Sequence, residues 1–325
     1  MTLQPWLIEN WRVLAGALTG NRLHHGLLIA GPAGLGKRAL ADAFARAALC
    51  IERDSDGYAC GRCRSCLLVA AGSHPDLVRV TFQLRDDGKL RTEITVDQLR
   101  ALTQRLSLSS QFGGLQIALI DPADRMNANA ANALLKTLEE PASSTVIVLV
   151  ADDPSRLPAT IRSRCQRIAI AAPTHEVALG WLRAQKIGAG EASAALDASL
   201  GNPGRALEWS ADDTLAVRAA CAEDLLALTE GRRTPAEIAD RWFADRPDQR
   251  LWFAAALARD EARLLAVGRS GSLGLTALAE IPKLAAWFGR ANRARGLLAT
   301  TVRVDLVLLD LLAAWPARRT IPRGV

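Results

Sequence analysis

The sequence predicts an α/β domain, a parallel sheet with helices on both faces, followed by regions that are helical throughout. Three observations carry this expectation. Short apolar runs alternate with helical patterns up to about residue 172, the order that a parallel sheet requires. A glycine-rich turn joins the first such run to a helix. After Pro173 no strand signal recurs, although 50% of the residues are hydrophobic and a large core is available. At 325 residues the chain exceeds one comfortable core, so two or three domains are expected.

The elements read as follows. Trp6–Leu18 is an amphipathic helix, and Gly26–Ala30 is a buried strand that ends at glycine. The turn Gly31–Gly36 leads into a helix over Lys37–Leu49. A second strand covers Leu77–Thr81. Asp87-Gly88, between Thr81–Arg85 and Leu90–Ile94, predicts a hairpin turn. Thr95 with Gln98 three residues later is a capping-box signal before a helix over Asp97–Leu108. Leu115–Ile120 is a strand ending at Asp121, and a helix from Asn127 to Glu140 stops at Pro141. Thr145–Val150 and Arg167–Ile170 complete the strands. Helical patterns fill Thr174–Gln185, Ala189–Leu200 and Pro203–Trp209, and then Thr214–Trp315 with breaks at Pro235, Pro247, Gly271 and Pro282.

Composition narrows the function classes. The net charge of +6 is modest and diffuse, compatible with nucleic acid nearby without indicating it. Met1–Asn10 lacks the basic start and apolar run of a secretory signal. No stretch reaches the roughly 20 apolar residues of a membrane span. A soluble, cytoplasmic protein is expected. Of six cysteines, four fall within residues 50–66, which reads as metal binding in a reducing compartment rather than as a disulfide framework.

Gly31-Pro32-Ala33-Gly34-Leu35-Gly36-Lys37 matches the phosphate-loop pattern G-x-x-x-x-G-K. Its glycines let backbone amides face phosphate oxygens, and the helix that follows adds a favourable partial charge. The strand before and the helix after are the context this motif needs. The next residue, however, is Arg38, where a working loop carries the Ser or Thr that binds magnesium. Asp121 supplies the acidic residue at the end of a later strand, but Pro122 follows it. Hydrolysis of a nucleotide is therefore not expected, while the intact Lys37 leaves binding of ATP or ADP open.

Cys50, Cys60, Cys63 and Cys66 form the pattern C-x9-C-x2-C-x2-C. Four thiolates at this spacing suit tetrahedral, structural zinc. A redox-active C-x-x-C pair and an iron–sulfur cluster are the rival readings. His74 in His74-Pro75-Asp76 is expected to fix a turn rather than to bind metal, because four cysteines already complete the shell. Further on, Arg164 follows one helical turn near Pro158–Ile161 and precedes a strand. An arginine at the exposed end of such a sheet can enter a neighbour's phosphate site, and it can equally be solvated.

The phosphate loop, the cysteine insertion, His74-Pro75-Asp76, the stretch Asn132-Ala133-Leu134-Leu135-Lys136-Thr137-Leu138-Glu139-Glu140-Pro141 and Ser163-Arg164-Cys165 occur in this order. That series resembles the clamp-loader subunits of bacterial DNA polymerase III, which are AAA+ proteins, over about residues 20–210. The resemblance implies an AAA+ P-loop α/β domain over 1–172 with a zinc knuckle at 50–66. It further implies a small helical lid over 173–211 and an all-α C-terminal collar over 212–325. Arg38 and Pro122 resemble the family's non-hydrolysing subunit, in which Gly31, Gly34, Gly36, Lys37 and Asp121 form a degenerate nucleotide site. In the lid, Gly204 takes the place of the arginine that active subunits carry before Ala206-Leu207. Arg164 matches the family's finger, acting in trans on a gamma/tau subunit. The implied partners are gamma/tau and delta subunits, with the sliding clamp and primed DNA met within the complex. Such a chain is not catalytic alone but is a component of the polymerase holoenzyme. The alternatives are an active ATPase of the gamma/tau type and a stand-alone zinc-dependent DNA-binding protein.

Overall fold

Three strand-forming runs in this chain are apolar on both faces, which only a sheet covered on both sides can bury. In the computed structural model, which describes residues 3–316 apart from positions 86, 143, 299 and 301, these three and two outer, more polar strands form one five-stranded sheet. The elements of the first part are α1 (Ile8–Thr19), β1 (Gly26–Ala30), α2 (Lys37–Leu49), α3 (Arg64–Ala70), β2 (Leu77–Val80) and α4 (Val96–Leu106). They continue with β3 (Gln116–Ile120), α5 (Ala128–Glu139), β4 (Thr145–Ala151), α6 (Ala159–Arg162), β5 (Gln166–Ala169) and α7 (His175–Ala184). All strand pairs are parallel, in the order β2-β3-β4-β1-β5. The family resemblance and the alternating pattern both led to this fold class, and the sheet has it.

The two-residue period of the strands divides the core. Leu27, Ile29, Ile117, Leu119, Val146 and Val148 point to one face, where Leu40 and Phe44 of α2 and Trp11 and Leu14 of α1 cover them. Leu28, Ala118, Ile120, Ile147 and Leu149 point to the other, against Leu99 and Leu102 of α4 and Leu134 and Leu138 of α5. Local signals set the helix ends. The Thr95–Gln98 capping box is formed, with Gln98 Oε1 accepting from the Thr95 amide at 3.0 Å. Asn127 caps α5 through the Ala130 amide at 2.9 Å.

Residues 81–94 depart from expectation. A turn forms at Asp87-Gly88, and Arg85 N donates to Lys89 O at 2.8 Å, but the pairing is a single bridge between Leu84 and Leu90. Both leucines are exposed, so no packed face extends the ladder. Ile94 instead bridges Met126.

Contacts divide the chain into two units, Met1–Ala184 with Asn202–Arg205, and Gln185–Gly201 with Ala206–Val325. The expected spans 1–172 and 212–325 begin and end in residues outside those described. The remaining helices are α8 (Ala189–Ala198), α9 (Pro203–Ser210), α10 (Thr214–Thr229), α11 (Pro235–Ala244), α12 (Pro247–Ala266), α13 (Ile281–Leu297) and α14 (Val304–Ala313). Pro235, Pro247 and Pro282 lie in first turns, where the missing N–H costs nothing. Trp242, Trp287 and Trp315 are buried in the second unit's core, and each indole N–H has an acceptor: Asp224, Leu311 O and Thr229. Asp224 is fully buried and also accepts from Arg233 and Arg241. Among the described residues, no helix is long and apolar enough to cross a membrane.

Candidate functional site

Parallel strands gather their C-terminal ends on one edge of the sheet, and the phosphate-loop residues stand there. Gly31 extends β1, its amide donating to Ala151 O at 3.2 Å, and a Cβ at this position would lie 2.1 Å from Ile170 O. Gly34 and Gly36 adopt left-handed conformations, with φ of +84° and +80°, and Gly36 caps α2. The concave side of the loop is met by the chain itself. Asn202 Nδ2 donates to Ala33 O at 2.7 Å, and Gly204 approaches so closely that a Cβ on it would lie 1.9 Å from Gly34 O. On Gly36, a Cβ would stand 2.6 Å from Gln4 Oε1.

The cations at the start of α2 are likewise engaged internally. Lys37 is 2% exposed, and its Nζ lies 2.7 Å from Pro32 O and 2.7 Å from Asp152 Oδ1. Arg38 Nε donates to Asp121 Oδ2 at 2.7 Å, with its Nη2 3.8 Å from Asp152. Burial pushes the Asp121 carboxyl above its ordinary range, against the pull of the Arg38 guanidinium. Burial also works against the Arg38 charge, but the hydrogen bond and charge of Asp121 outweigh it and hold Arg38 cationic. A hard divalent cation needs several oxygen ligands in near-octahedral array. Here a guanidinium occupies the flank of the first carboxylate and an ammonium that of the second, so this donor set does not fit magnesium.

A second cluster lies in the insertion between α2 and β2. The sulfurs of Cys50, Cys60, Cys63 and Cys66 all lie within 4.8 Å of one another. Cys50 and Cys63 are 3.9 Å apart, and Cys60 and Cys66 4.0 Å. A tetrahedron with metal–sulfur bonds of about 2.3 Å has edges near 3.8 Å, so the cluster fits one ion. Amides of Cys60, Cys63 and Cys66 donate to the sulfurs of Cys50, Cys60 and Cys63, favouring thiolates. Burial opposes ionisation of Cys63, yet the Cys66 and Ile51 amides bring it down to about 6, while burial and the neighbouring thiols push Cys66 up to about 12. The knuckle is tied to the domain by a stack of Tyr58 on Trp11, centroids 4.2 Å apart, and by Ser65. The Ser65 hydroxyl donates to Leu49 O at 2.6 Å and meets His74 Nε2 at 2.7 Å.

Arg164 lies on the opposite edge of the sheet, before β5 and beside the start of β1, where a Cβ on Gly26 would be 3.0 Å from Arg164 O. Its guanidinium is half-exposed. Nη1 donates to Thr160 O at 2.9 Å, and Nη2 lies 2.7 Å from Glu139 Oε1.

Residues 8–174 match the family described as "DNA polymerase III, delta subunit". Over 257 residues, 75% of each chain, the sequence is 35% identical to "DNA polymerase III subunit delta'" of Escherichia coli. The chain belongs to the DNA polymerase III delta-prime family. Its likeness to the delta-prime subunit of Pseudomonas aeruginosa is 42% over 180 residues, 55% of this chain and 52% of that protein, so this match spans about half of the relative's length. The tau/gamma subunit of Haemophilus influenzae is 36% identical over 152 residues, 47% of this chain and 21% of that protein.

The structure brings Gly31, Gly34, Gly36, Lys37 and Asp121 together on one edge, the four cysteines in one knuckle, and Arg164 apart from both. Sequence reasoning missed Asp152, Glu139 and Asn202. Asp152 had a readable signal, an acid directly after a wholly apolar strand, on the same edge as Asp121. The other two act through contacts that nothing local announces. His74 does fix a turn: its Nδ1 accepts from the Asp76 amide at 3.1 Å, which assigns the proton to Nε2.

Gly204→Ala places a methyl against the Gly34 carbonyl and lowers stability by about 1–3 kcal/mol in urea unfolding, whereas an unchanged midpoint would show that the approach is not a constraint. For His74, burial holds the ring below its ordinary value of about 6.5, with Asp76 opposing. The unfolded chain then binds the proton more readily, so stability is full above about pH 6.5 and falls as the pH drops below it. His74→Leu should be less stable at pH 7.5 and lack this share of the slope between pH 7.5 and 5.5. An identical slope in the variant would remove His74 from the account.

Proposed function

We propose that the chain is a non-hydrolysing subunit of the DNA polymerase III clamp loader that donates Arg164 to the ATP site of a neighbouring gamma/tau subunit. In this reading the spans 1–172, 173–211 and 212–325 are P-loop domain, lid and collar. The observation that carries it is the separation of the two charged sites. Lys37, Arg38, Asp121 and Asp152 pair with one another on one edge, while Arg164 presents a half-exposed guanidinium on the other. Strand polarity keeps Arg164 away from the chain's own loop, so a phosphoryl group that it meets must come from another subunit.

The same packing supports a loop that takes no nucleotide. Glycines that would serve phosphate binding elsewhere are here required by the Ile170 carbonyl at Gly31 and by left-handed backbone at Gly34 and Gly36, and Gly204 leaves no room for the arginine of an active lid. Lys37 would have to leave Asp152 to reach a phosphate, giving up a 2.7 Å ion pair and leaving the half-buried Asp152 carboxylate without its ammonium partner. Within the complex the chain would act as a fixed wall. Its Arg164 guanidinium faces the charge that spreads over a phosphoryl group leaving in the gamma/tau site, as the clamp is set on primed DNA in the cytoplasm.

The knuckle is proposed as a structural zinc site. All four sulfurs converge on one ion's volume, which favours a single zinc over an iron–sulfur cluster, and no coordination position is left for a substrate. Holding four thiolates together is the chemistry zinc would supply; Cys50, Cys60, Cys63 and Cys66 would hold it.

Purified chain alone should show no magnesium-dependent ATP turnover, and turnover abolished by Lys37→Ala would return the active-ATPase alternative. In the reconstituted loader, Arg164→Ala should leave assembly intact and lower DNA-stimulated ATPase at that site by at least about 10²-fold, given the 10³–10⁵ an arginine finger contributes. Metal analysis should find one zinc per chain. A folded protein that carries iron, or no metal, would refute the zinc assignment.

A further inference from the structure

We infer that Glu139 is the positioning residue for Arg164, fixing the plane in which the guanidinium is offered to a partner's phosphoryl group. The inference rests on the arginine-donor reading above. Glu139 is the last residue of α5, and its place is set independently of Arg164. The Leu138 carbonyl meets His25 Nε2 at 3.0 Å, Glu140 N closes the helix onto Lys136 O at 3.0 Å, and Pro141 prevents a further turn. The Arg164 backbone is equally constrained: its amide donates to Ile161 O at 3.1 Å, and its carbonyl sits against Gly26. Two fixed backbones therefore approach each other, and the 2.7 Å contact between Nη2 and Glu139 Oε1 joins their side chains.

An arginine offers five N–H donors in a rigid fork. Thr160 O engages Nη1 and Glu139 engages Nη2, so two anchors on different nitrogens define the orientation of the plane and leave further donors for a ligand. With the Thr160 contact alone, the guanidinium could swing about a single hydrogen bond.

The same ion pair could restrain the arginine instead, and the sign of the effect decides between the roles. Arg164 is 36% exposed and Glu139 48%, so the pair is solvent-screened and its removal shifts an equilibrium by no more than about fivefold. That bound holds for a brake and for an orienting contact alike. Losing a brake raises turnover, and losing an orienting contact lowers it.

The test is a reconstituted loader carrying wild-type chain, Glu139→Gln, Arg164→Ala, or both, assayed for DNA-stimulated ATP turnover, with assembly checked by gel filtration. Glu139→Gln should lower kcat by about 2- to 5-fold with KM for ATP unchanged, and should have no further effect in the Arg164→Ala background. Glu139→Asp should recover part of the loss. An unchanged or raised kcat for Glu139→Gln, with Arg164→Ala strongly impaired, overturns the positioning role while leaving the arginine donor intact. A loss that adds to that of Arg164→Ala also overturns it, because Glu139 would then act through the fold. If Arg164→Ala itself turns over normally, the donor reading fails and this inference fails with it.

Discussion

Two cations at the start of α2 and two carboxylates at the ends of β3 and β4 alternate on one edge of the sheet, and the loop between β1 and α2 is shaped around them. Lys37 is nearly inaccessible, and an ammonium in such a place is tolerated only when paired. Asp152 provides the partner at 2.7 Å. Asp121 and Asp152 are close enough to raise each other's energy, and Arg38 lies against both. In a working phosphate loop the corresponding balance comes from nucleotide phosphates and a metal ion. Here the chain carries its own countercharges, so the loop can be complete as folded.

The polarity of a parallel sheet then separates Arg164 from this loop. Every strand delivers its C-terminal end to the loop edge and its N-terminal end to the other. Arg164 belongs to the second edge because it precedes β5, and the register of β5 on β1 fixes its distance from the loop. Changes that close the first edge need not disturb the second. The two edges share only the sheet between them, whose central strands are buried along their whole length.

Much of this was legible in the sequence, for reasons that can be named. The strands Gly26–Ala30, Gln116–Ile120 and Thr145–Ala151 are apolar at every central position, and the capping-box signal at Thr95 and the helix start near Asn127 fall within a residue or two of the observed starts. The cysteine cluster was legible because metal ligands converge through short spacings. Residues 81–94 were misjudged in extent, because a turn signal says nothing about whether a packed face exists to lengthen the ladder. Asp152 was readable as an acid directly after a strand but was passed over, whereas Glu139 and Asn202 were not legible. Asn202 meets Ala33 across 169 positions, and no periodicity or local motif encodes a contact of that separation.

The hidden contacts also change what the motif itself means. G-x-x-x-x-G-K is ordinarily read as a cradle, with each glycine explained by a phosphate oxygen. In this chain Gly31 is required by the Ile170 carbonyl, Gly34 by its left-handed backbone and the segment that holds Gly204, and Gly36 by its left-handed backbone at φ +80°, while Lys37 is paired with Asp152. Substituting any of them would damage the fold whether or not a nucleotide ever binds. An intact lysine is therefore poor evidence of retained nucleotide affinity, because the lysine itself is buried and already paired with Asp152. The residue that carries more information is Gly204: nothing about the phosphate-loop pattern demands it, and its contact with Gly34 reflects a segment, Asn202–Arg205, that packs on the loop directly.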